Sequence, residues 1–335
     1  MTVRVGINGF GRIGRGFVRA ALGRDDVEIV AVNDLTSTAT NANLLRYDST
    51  QGRFPAEVTH GEDSISVDGR VIRVLSEREP DRLPWGELGV EVVVESTGRF
   101  TSRDQAAAHL VGGARRVVIS APASDVDATF VIGVNDTDYD PGRHVVVSNA
   151  SCTTNCFVPM VKVLDDAFGI EAGLMTTVHA YTNDQNLLDV QHKDPRRARA
   201  AAINIVPSST GAARATGLVL AAMKGRLDGT SLRVPVPVGS ITDFTAVVRT
   251  TTVAEVNAEF AKAAAGQLGR VLVYTEDPIV STDIVGSPAS CTFDSLMTMV
   301  QPLSADRSLV KVFGWYDNEW GYSNRLVDLA ALMVG

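Results

Sequence analysis

Val3-Arg4-Val5-Gly6-Ile7-Asn8-Gly9-Phe10-Gly11-Arg12-Ile13-Gly14 is the stretch that decides the fold. Val3, Val5 and Ile7 alternate with Arg4 and Gly6, the period-two pattern of a strand. Glycines at 9, 11 and 14 follow at once, and Phe17, Val18, Ala21 and Leu22 then fall within a helical pattern. Val27-Glu28-Ile29-Val30-Ala31-Val32 reads as a second strand ending at Asn33-Asp34. Strand, glycine turn, helix, strand and terminal acid make a βαβ unit. In such a unit the glycines let backbone approach a pyrophosphate, and the helix N-terminus favours its charge. Asp34, twenty residues after Gly14, can accept hydrogen bonds from both ribose hydroxyls of NAD and would repel the 2′-phosphate of NADP. A glycine string alone could be a tight turn; this context makes it a dinucleotide site.

Working outward, Val90-Glu91-Val92-Val93-Val94 and Arg116-Val117-Val118-Ile119 are further buried-strand candidates, and Ala-rich Asp104 to Leu110 reads as a helix. Alternating β and α over the first ~150 residues predicts a parallel, doubly wound sheet. After Cys152 the texture changes. Phe157, Val161, Leu164 and Phe168 have helical spacing, with Pro159 expected in the first turn or at a kink. Strands are expected at Leu174 to Val178, Ser231 to Val238, Thr242 to Thr250 and Ser308 to Trp315. Thr252 to Ala265 reads as a capped helix ending at Gly266. The tail Tyr322 to Met333 is helical in pattern. The second half therefore reads as α+β. The expected division is a dinucleotide-binding domain at 1–150, with a C-terminal helix at 318–335 packing back on it, and a catalytic domain at 151–317.

The 335 residues are 45% hydrophobic and 21% charged, with a net charge of −8. That balance argues against nucleic acid or an acidic membrane surface as the main partner. One basic cluster, His192-Lys193-Asp194-Pro195-Arg196-Arg197-Ala198-Arg199, is either a solvated face or an anion site. Three cysteines are too few for a disulfide framework, and no spacing resembles a zinc site. The start is a strand pattern rather than a signal peptide. Apolar runs such as Leu218 to Met223 fall short of the ~18 residues a membrane span needs. A reducing cytoplasm is the expected compartment.

Cys152 sits in Ser151-Cys152-Thr153-Thr154-Asn155-Cys156, after the apolar run His144 to Ser148. Free cysteine is often just a small buried hydrophobe. Here polar neighbours surround it, and it begins a helix pattern whose N-terminus would stabilise a thiolate. A thiolate can attack an aldehyde, and the adduct can release hydride to a nicotinamide. Cys156, one turn on, reads as a packed neighbour and Cys291 as structural. Among five histidines, His179 in Thr176-Thr177-Val178-His179-Ala180-Tyr181-Thr182 ends a strand candidate. It is either a satisfied structural histidine or the acid/base partner of Cys152. Ser208-Ser209-Thr210-Gly211 and Arg233 are possible oxyanion contacts, or a loop and a surface charge.

From Gly6-Ile7-Asn8-Gly9-Phe10-Gly11-Arg12-Ile13-Gly14-Arg15 to Trp315-Tyr316-Asp317-Asn318-Glu319-Trp320-Gly321-Tyr322-Ser323-Asn324, the whole chain resembles the phosphorylating glyceraldehyde-3-phosphate dehydrogenases. Ser148-Asn149-Ala150-Ser151-Cys152-Thr153-Thr154-Asn155-Cys156 is similar to that family's active-site signature. The resemblance implies a Rossmann-type doubly wound parallel-sheet domain and an α+β catalytic domain with a mostly antiparallel sheet. It implies Cys152 as nucleophile and His179 as base. Thr182 and Arg233 would hold the phosphate of glyceraldehyde 3-phosphate. Ser151, Thr153, Arg197, Thr210 and Gly211 would hold the attacking inorganic phosphate. Gly9, Gly11, Arg12, Ile13, Gly14, Asp34, Arg78 and Ser120 would line the cofactor, and Asn318 would hold the nicotinamide carboxamide. A homotetramer is implied, with an intersubunit loop at about 181–202.

Two departures bear on specificity. Val190-Gln191 matches neither the Leu-Pro of NAD-preferring members nor the Ala-Ser of NADP-accepting ones, so NADP use stays open although Asp34 favours NAD. Val238 replaces an asparagine common in glycolytic relatives. Erythrose 4-phosphate is the nearest competing substrate, but the His179 to Thr182, Ser209 to Ala213 and Trp315 to Asn318 segments keep the glyceraldehyde-phosphate pattern. A cofactor-free cysteine hydrolase and an RNA-binding protein are competing classes. The glycine turn with Asp34 opposes the first, and the net charge opposes the second.

Overall fold

Val3–Asn8 forms a strand whose apolar side chains are all buried. It enters the helix Arg12–Ala20 through the glycine turn and is followed by the strand Val27–Asn33. In the computed structural model, which describes residues 2–334, these elements lie at the middle of a nine-stranded sheet. From one edge the order is Ala128–Thr129, Val146–Ser148, Arg116–Ile119, Val92–Glu95, Val3–Asn8, Val27–Asn33, Arg70–Leu75, Ser64–Val67 and Val58–His60. Every pairing from Ala128–Thr129 to Arg70–Leu75 is parallel, and only the last two strands run as an antiparallel meander. Strand order reverses between Val3–Asn8 and Val92–Glu95. In doubly wound sheets ligands bind at the carboxyl ends of strands beside such a reversal.

The chain divides into two units. The first holds the residues up to Ile132, Asp136–Ser151 and the stretch from Ser323; the second holds Gly133–Asn135 and Cys152–Tyr322. Relative to the sequence expectation, 318–322 and Gly133–Asn135 lie with the second unit. The Ala-rich segment is not one helix but two short turns, Arg103–Ala106 and Ala108–Val111, meeting at Ala107. So short a segment cannot hold a helix on propensity alone, and its packing sets its path.

The second unit is built on an eight-stranded sheet ordered Val206–Ser209, Leu227–Val234, Ile170–Ala180, Ser240–Arg249, Arg307–Tyr316, Cys291–Asp294 and Leu272–Thr275, with Met299–Pro302 beside Arg307–Tyr316. Two pairings are parallel and the others antiparallel, as the resemblance implied. The helix Cys152–Phe168 packs on this sheet, with Phe157 edge-on to Phe244 at 4.8 Å between ring centroids. Pro159 stands inside that helix rather than in its first turn. Burial of Thr153 to Val161 on all sides compensates for the backbone bond it cannot make. Leu227–Val234 stops short of the expected Val238 because Pro235 and Pro237 have no N–H for the ladder. Val253–Ala265 carries the expected capping box, Thr252 with Glu255, worth about 1 kcal/mol.

Candidate active site

Cys152 is the first residue of the helix Cys152–Phe168, and His179 lies one residue from the end of the strand Ile170–Ala180. The fold brings Cys152 Sγ to 3.4 Å from His179 Nε2. Parallel pairing places Arg233, on Leu227–Val234, directly beside His179. His179 Nδ1 has two neighbours of opposite demand: the Ala180 carbonyl at 2.6 Å and Arg233 Nη1 at 2.8 Å. If Nδ1–H donates to Ala180, Nε2 carries the lone pair that can take the thiol proton, and Arg233 donates to the same carbonyl at 3.1 Å.

Burial pushes the Cys152 thiol up, to about 11, while Arg233, Thr153 and the first N–H groups of the helix pull it back. Burial pushes His179 down, to about 3, and Arg233 and Arg197 add to that. Each charge alone is therefore unfavourable. Together at 3.4 Å they attract by about 5 kcal/mol at an effective dielectric constant of ~20. That attraction offsets part of the cost of moving the proton from Sγ to Nε2, so each charge makes the other less unfavourable.

Tyr316 is a part of this site that the sequence did not single out. Its buried hydroxyl bridges Thr153 Oγ1 at 2.9 Å and Thr177 Oγ1 at 2.8 Å, tying the start of the cysteine's helix to the histidine's strand. Ser240 is another. Its Oγ accepts from Ala180 N at 3.0 Å and donates to Asn318 Oδ1 at 3.0 Å, and Gly239 N–H donates to the same oxygen at 3.2 Å. The Asn318 amide is thereby oriented with its NH₂ as the group it can offer a ligand carbonyl. Only the sheet register brings these residues together; no local spacing announces them.

The remaining oxyanion candidates are also in the second unit, apart from Ser151, which immediately precedes it. Thr210 and Gly211 stand at the start of the helix Ala212–Val219, where Thr210 Oγ1 accepts from Ala212 N at 3.2 Å. Thr182 lies two residues beyond the histidine's strand. Arg197 is paired with Asp184, and Arg199 with Asp189 at 2.9 Å, so the basic cluster is partly neutralised by the loop before it. Cys156 and Cys291 are buried, as expected of packed thiols. His144 and His192 each accept a backbone N–H through Nδ1, which is structural work.

In the first unit, Gly9, Gly11, Asp34 and Arg78 line one cavity of about 280 Å³ together with Asn8 and Asn33. Gly9 has φ +92°, which favours glycine. A Cβ at Gly14 would stand 2.3 Å from the Gly9 carbonyl oxygen, whereas one at Gly11 would meet nothing within 4 Å. Asp34 is aimed by two backbone donors, Phe10 N at 2.9 Å on Oδ2 and Thr36 N at 3.1 Å on Oδ1. Open backbone at Gly11 beside a fixed carboxylate fits a dinucleotide. Arg12, Ile13, Gly14 and Ser120 lie outside this cavity's lining. Arg12 is turned to Asp48 and Thr50, and Ser120 N–H donates to the Glu95 carbonyl.

Two family descriptions match the chain. The glyceraldehyde 3-phosphate dehydrogenase NAD binding domain matches residues 3–103, and the glyceraldehyde 3-phosphate dehydrogenase C-terminal domain matches 151–318. Glyceraldehyde-3-phosphate dehydrogenase 2 of Streptomyces avermitilis is 63% identical over 335 residues, 99% of each chain. Glyceraldehyde-3-phosphate dehydrogenase of Mycobacterium avium is 59% identical over 341 residues, again 99% of each. That of Geobacillus stearothermophilus is 57% identical over 335 residues, covering 100% of this chain and 99% of its own.

Proposed function

The chain belongs to the glyceraldehyde-3-phosphate dehydrogenase family, and from that premise we propose that it oxidises D-glyceraldehyde 3-phosphate to 1,3-bisphosphoglycerate with NAD. The observation that carries the reading is Cys152 Sγ at 3.4 Å from His179 Nε2. When bound, NAD supplies the hydride acceptor. His179 takes the thiol proton as Sγ adds to the aldehyde carbon, and gives it to the oxygen, leaving a hemithioacetal. Nε2 then accepts the hydroxyl proton while the C–H bond breaks with both its electrons, leaving a thioester on Cys152. A phosphate oxygen attacks the thioester carbon, the C–S bond breaks, and sulfur leaves as thiolate beside the imidazolium. Hydrolysis would waste the activated acyl group, so phosphate must be held next to it.

In this reading Thr182 and Arg233 hold the substrate's phosphate, and Ser151, Thr153, Thr210, Gly211 and Arg197 hold inorganic phosphate. Arg197 must exchange Asp184 for that ligand. Gly9, Gly11, Arg12, Ile13, Gly14, Asp34, Arg78 and Ser120 line the dinucleotide, and Asn318 presents its amide to the nicotinamide carboxamide. Asp34 supports NAD over NADP. A homotetramer is supported by large apolar side chains left exposed on the second unit, among them Leu187 at 82%, Ile203 at 80% and Leu174 at 69%. A cytoplasmic setting is supported by three free thiols. No helix among the described residues is long and apolar enough to cross a membrane.

The test follows reduced-cofactor absorbance with glyceraldehyde 3-phosphate, NAD or NADP, with and without inorganic phosphate. Sustained, phosphate-dependent turnover with NAD is expected. Preference for NADP would overturn the role given to Asp34 and direct attention to Val190-Gln191. A single burst under every condition would mean that the acyl-enzyme forms but that the substrate or the acceptor is wrong, and would make erythrose 4-phosphate the next candidate.

A further inference from the structure

Beneath the glycine turn of the first unit lies a buried carboxylate and imidazole that the chemistry at Cys152 does not use. Glu95, last residue of Val92–Glu95, is 2% exposed and His109 is wholly buried. His109 Nε2 lies 2.9 Å from Glu95 Oε2. On its other side, Trp85 Nε1–H donates to His109 Nδ1 at 3.0 Å. An indole nitrogen can only donate, so Nδ1 holds the lone pair and Nε2–H points at Glu95. Asn8 Nδ2 joins it on Oε2 at 2.6 Å, and Thr97 donates from its backbone N at 2.8 Å and its hydroxyl at 2.5 Å to Oε1. All these partners are donors.

From Asn8 the bonds run on. Asn33 Nδ2 donates to Asn8 Oδ1 at 2.7 Å and to the Glu77 carbonyl at 2.8 Å, and Asn33 Oδ1 accepts from Glu77 N at 2.8 Å. The network thus joins the carboxyl ends of three neighbouring parallel strands, at Asn8, Asn33 and Glu95. Asn8 immediately precedes Gly9, and Asn33 immediately precedes Asp34. Glu95 immediately precedes Ser96-Thr97, whose backbone presses on the turn so closely that a Gly9 Cβ would stand 2.7 Å from Thr97 N.

We propose that Glu95, supported by His109, is a positioning residue for the cofactor. It sets the spacing between the Gly9 turn, which faces the pyrophosphate, and Asp34, which faces the ribose. The inference deepens the NAD reading above and rests on it.

The experiment titrates NAD into the full-length protein by calorimetry, with the thermal midpoint and the Cys152 alkylation rate measured alongside. Glu95→Gln keeps the side-chain volume but turns an amide NH₂ toward two donors, or leaves Thr97 facing one. It should weaken NAD by about tenfold or more while alkylation of Cys152 is unaffected. His109→Gln can still donate to Glu95 and accept from Trp85, so it should keep affinity within about threefold of the parent. His109→Leu, which can do neither, should lose affinity as Glu95→Gln does. A structural role alone would lower the thermal midpoint without this split. NAD binding by Glu95→Gln at parental strength, or equal losses in the two His109 variants, would overturn the proposal. Should Glu95→Gln not fold, the two His109 variants decide it. Failure of the parent to bind NAD would instead defeat the cofactor reading.

Discussion

Two single-methyl additions separate the space this fold needs for itself from the space it keeps for a ligand. At Gly14 a Cβ would lie 2.3 Å from the Gly9 carbonyl oxygen and 3.2 Å from Ile7 Cγ2. Reaching an ordinary contact of about 3.4 Å requires the helix and the turn to part by about 1.1 Å, in a region where neither side is a flexible side chain. Overpacking of that kind costs about 1–3 kcal/mol. For a unit of this size that corresponds to a fall of about 2–4 °C in the thermal midpoint per kcal/mol. At Gly11 a Cβ meets nothing within 4 Å, and φ −72°, ψ −159° suits any residue. Gly11→Ala should therefore cost the free protein no more than the N-cap preference of glycine over alanine, about 0.5–1 kcal/mol. If the pyrophosphate lies on the Gly11 backbone, the methyl displaces it, and the Kd for NAD should rise by about tenfold to a hundredfold, 1.4–2.7 kcal/mol. Calorimetric NAD titration and thermal unfolding of the free protein read the two effects separately. NAD binding by Gly11→Ala at parental affinity would refute the placement of the pyrophosphate. An unchanged midpoint for Gly14→Ala would refute the steric reading of the turn.

His179→Asn removes the group that can take the thiol proton, so the alkylation pH profile of Cys152 should move up toward the value of about 11 that burial leaves after the opposing pull of Arg233 and Thr153; an unchanged profile would exclude the pair. Conversely, in Cys152→Ser the imidazole loses its anion, and burial with Arg233 should keep it neutral from pH 5 upward, its value being pushed down to about 3. A histidine NMR titration near pH 6 assigned to His179 would contradict that. Asp34→Asn keeps an acceptor for Phe10 N–H but removes the charge, so the preference for NAD over NADP should fall by at least about tenfold; an unchanged ratio of kcat/KM values would place ribose discrimination elsewhere. Tyr316→Phe removes the hydroxyl shared by Thr153 and Thr177 and should destabilise the second unit by about 1–3 kcal/mol, read as a lower urea midpoint; no shift would mean the two threonines re-pair without it.

Legibility in the sequence followed the range of the interactions. The strand Val3–Asn8, the helix Arg12–Ala20 and the position of Asp34 are local consequences of period and glycine spacing, and all were readable. So was the capped helix Val253–Ala265. The edge meander of the first sheet was not picked out by hydrophobic period, because its strands are short and half exposed. Yet its hairpin carries an Asp68-Gly69 turn, both residues at positive φ (47° and 79°), which is a local signal of the right kind. The two short turns at 103–111 defeat a single-helix reading because their path answers to packing, including the burial of His109 against Trp85 and Glu95.

The site around Cys152 is a question of register more than of motif. His179 lies opposite Arg233 only because Ile170–Ala180 and Leu227–Val234 pair in parallel with that alignment, and Ser240 lies opposite Tyr316 only because Ser240–Arg249 and Arg307–Tyr316 pair antiparallel with theirs. A slip of one residue in either ladder would send the side chain to the other face of the sheet. What fixes the alignment of the second ladder is visible elsewhere along its strands: strict alternation of buried and half-buried positions over Ser240–Arg249 and Arg307–Tyr316, with Phe244, Ala246, Val248, Val310 and Val312 on the covered face. The apolar pattern that makes the core therefore also sets the catalytic geometry. Substitutions that weaken that pattern should disturb the Cys152–His179 contact without touching either residue.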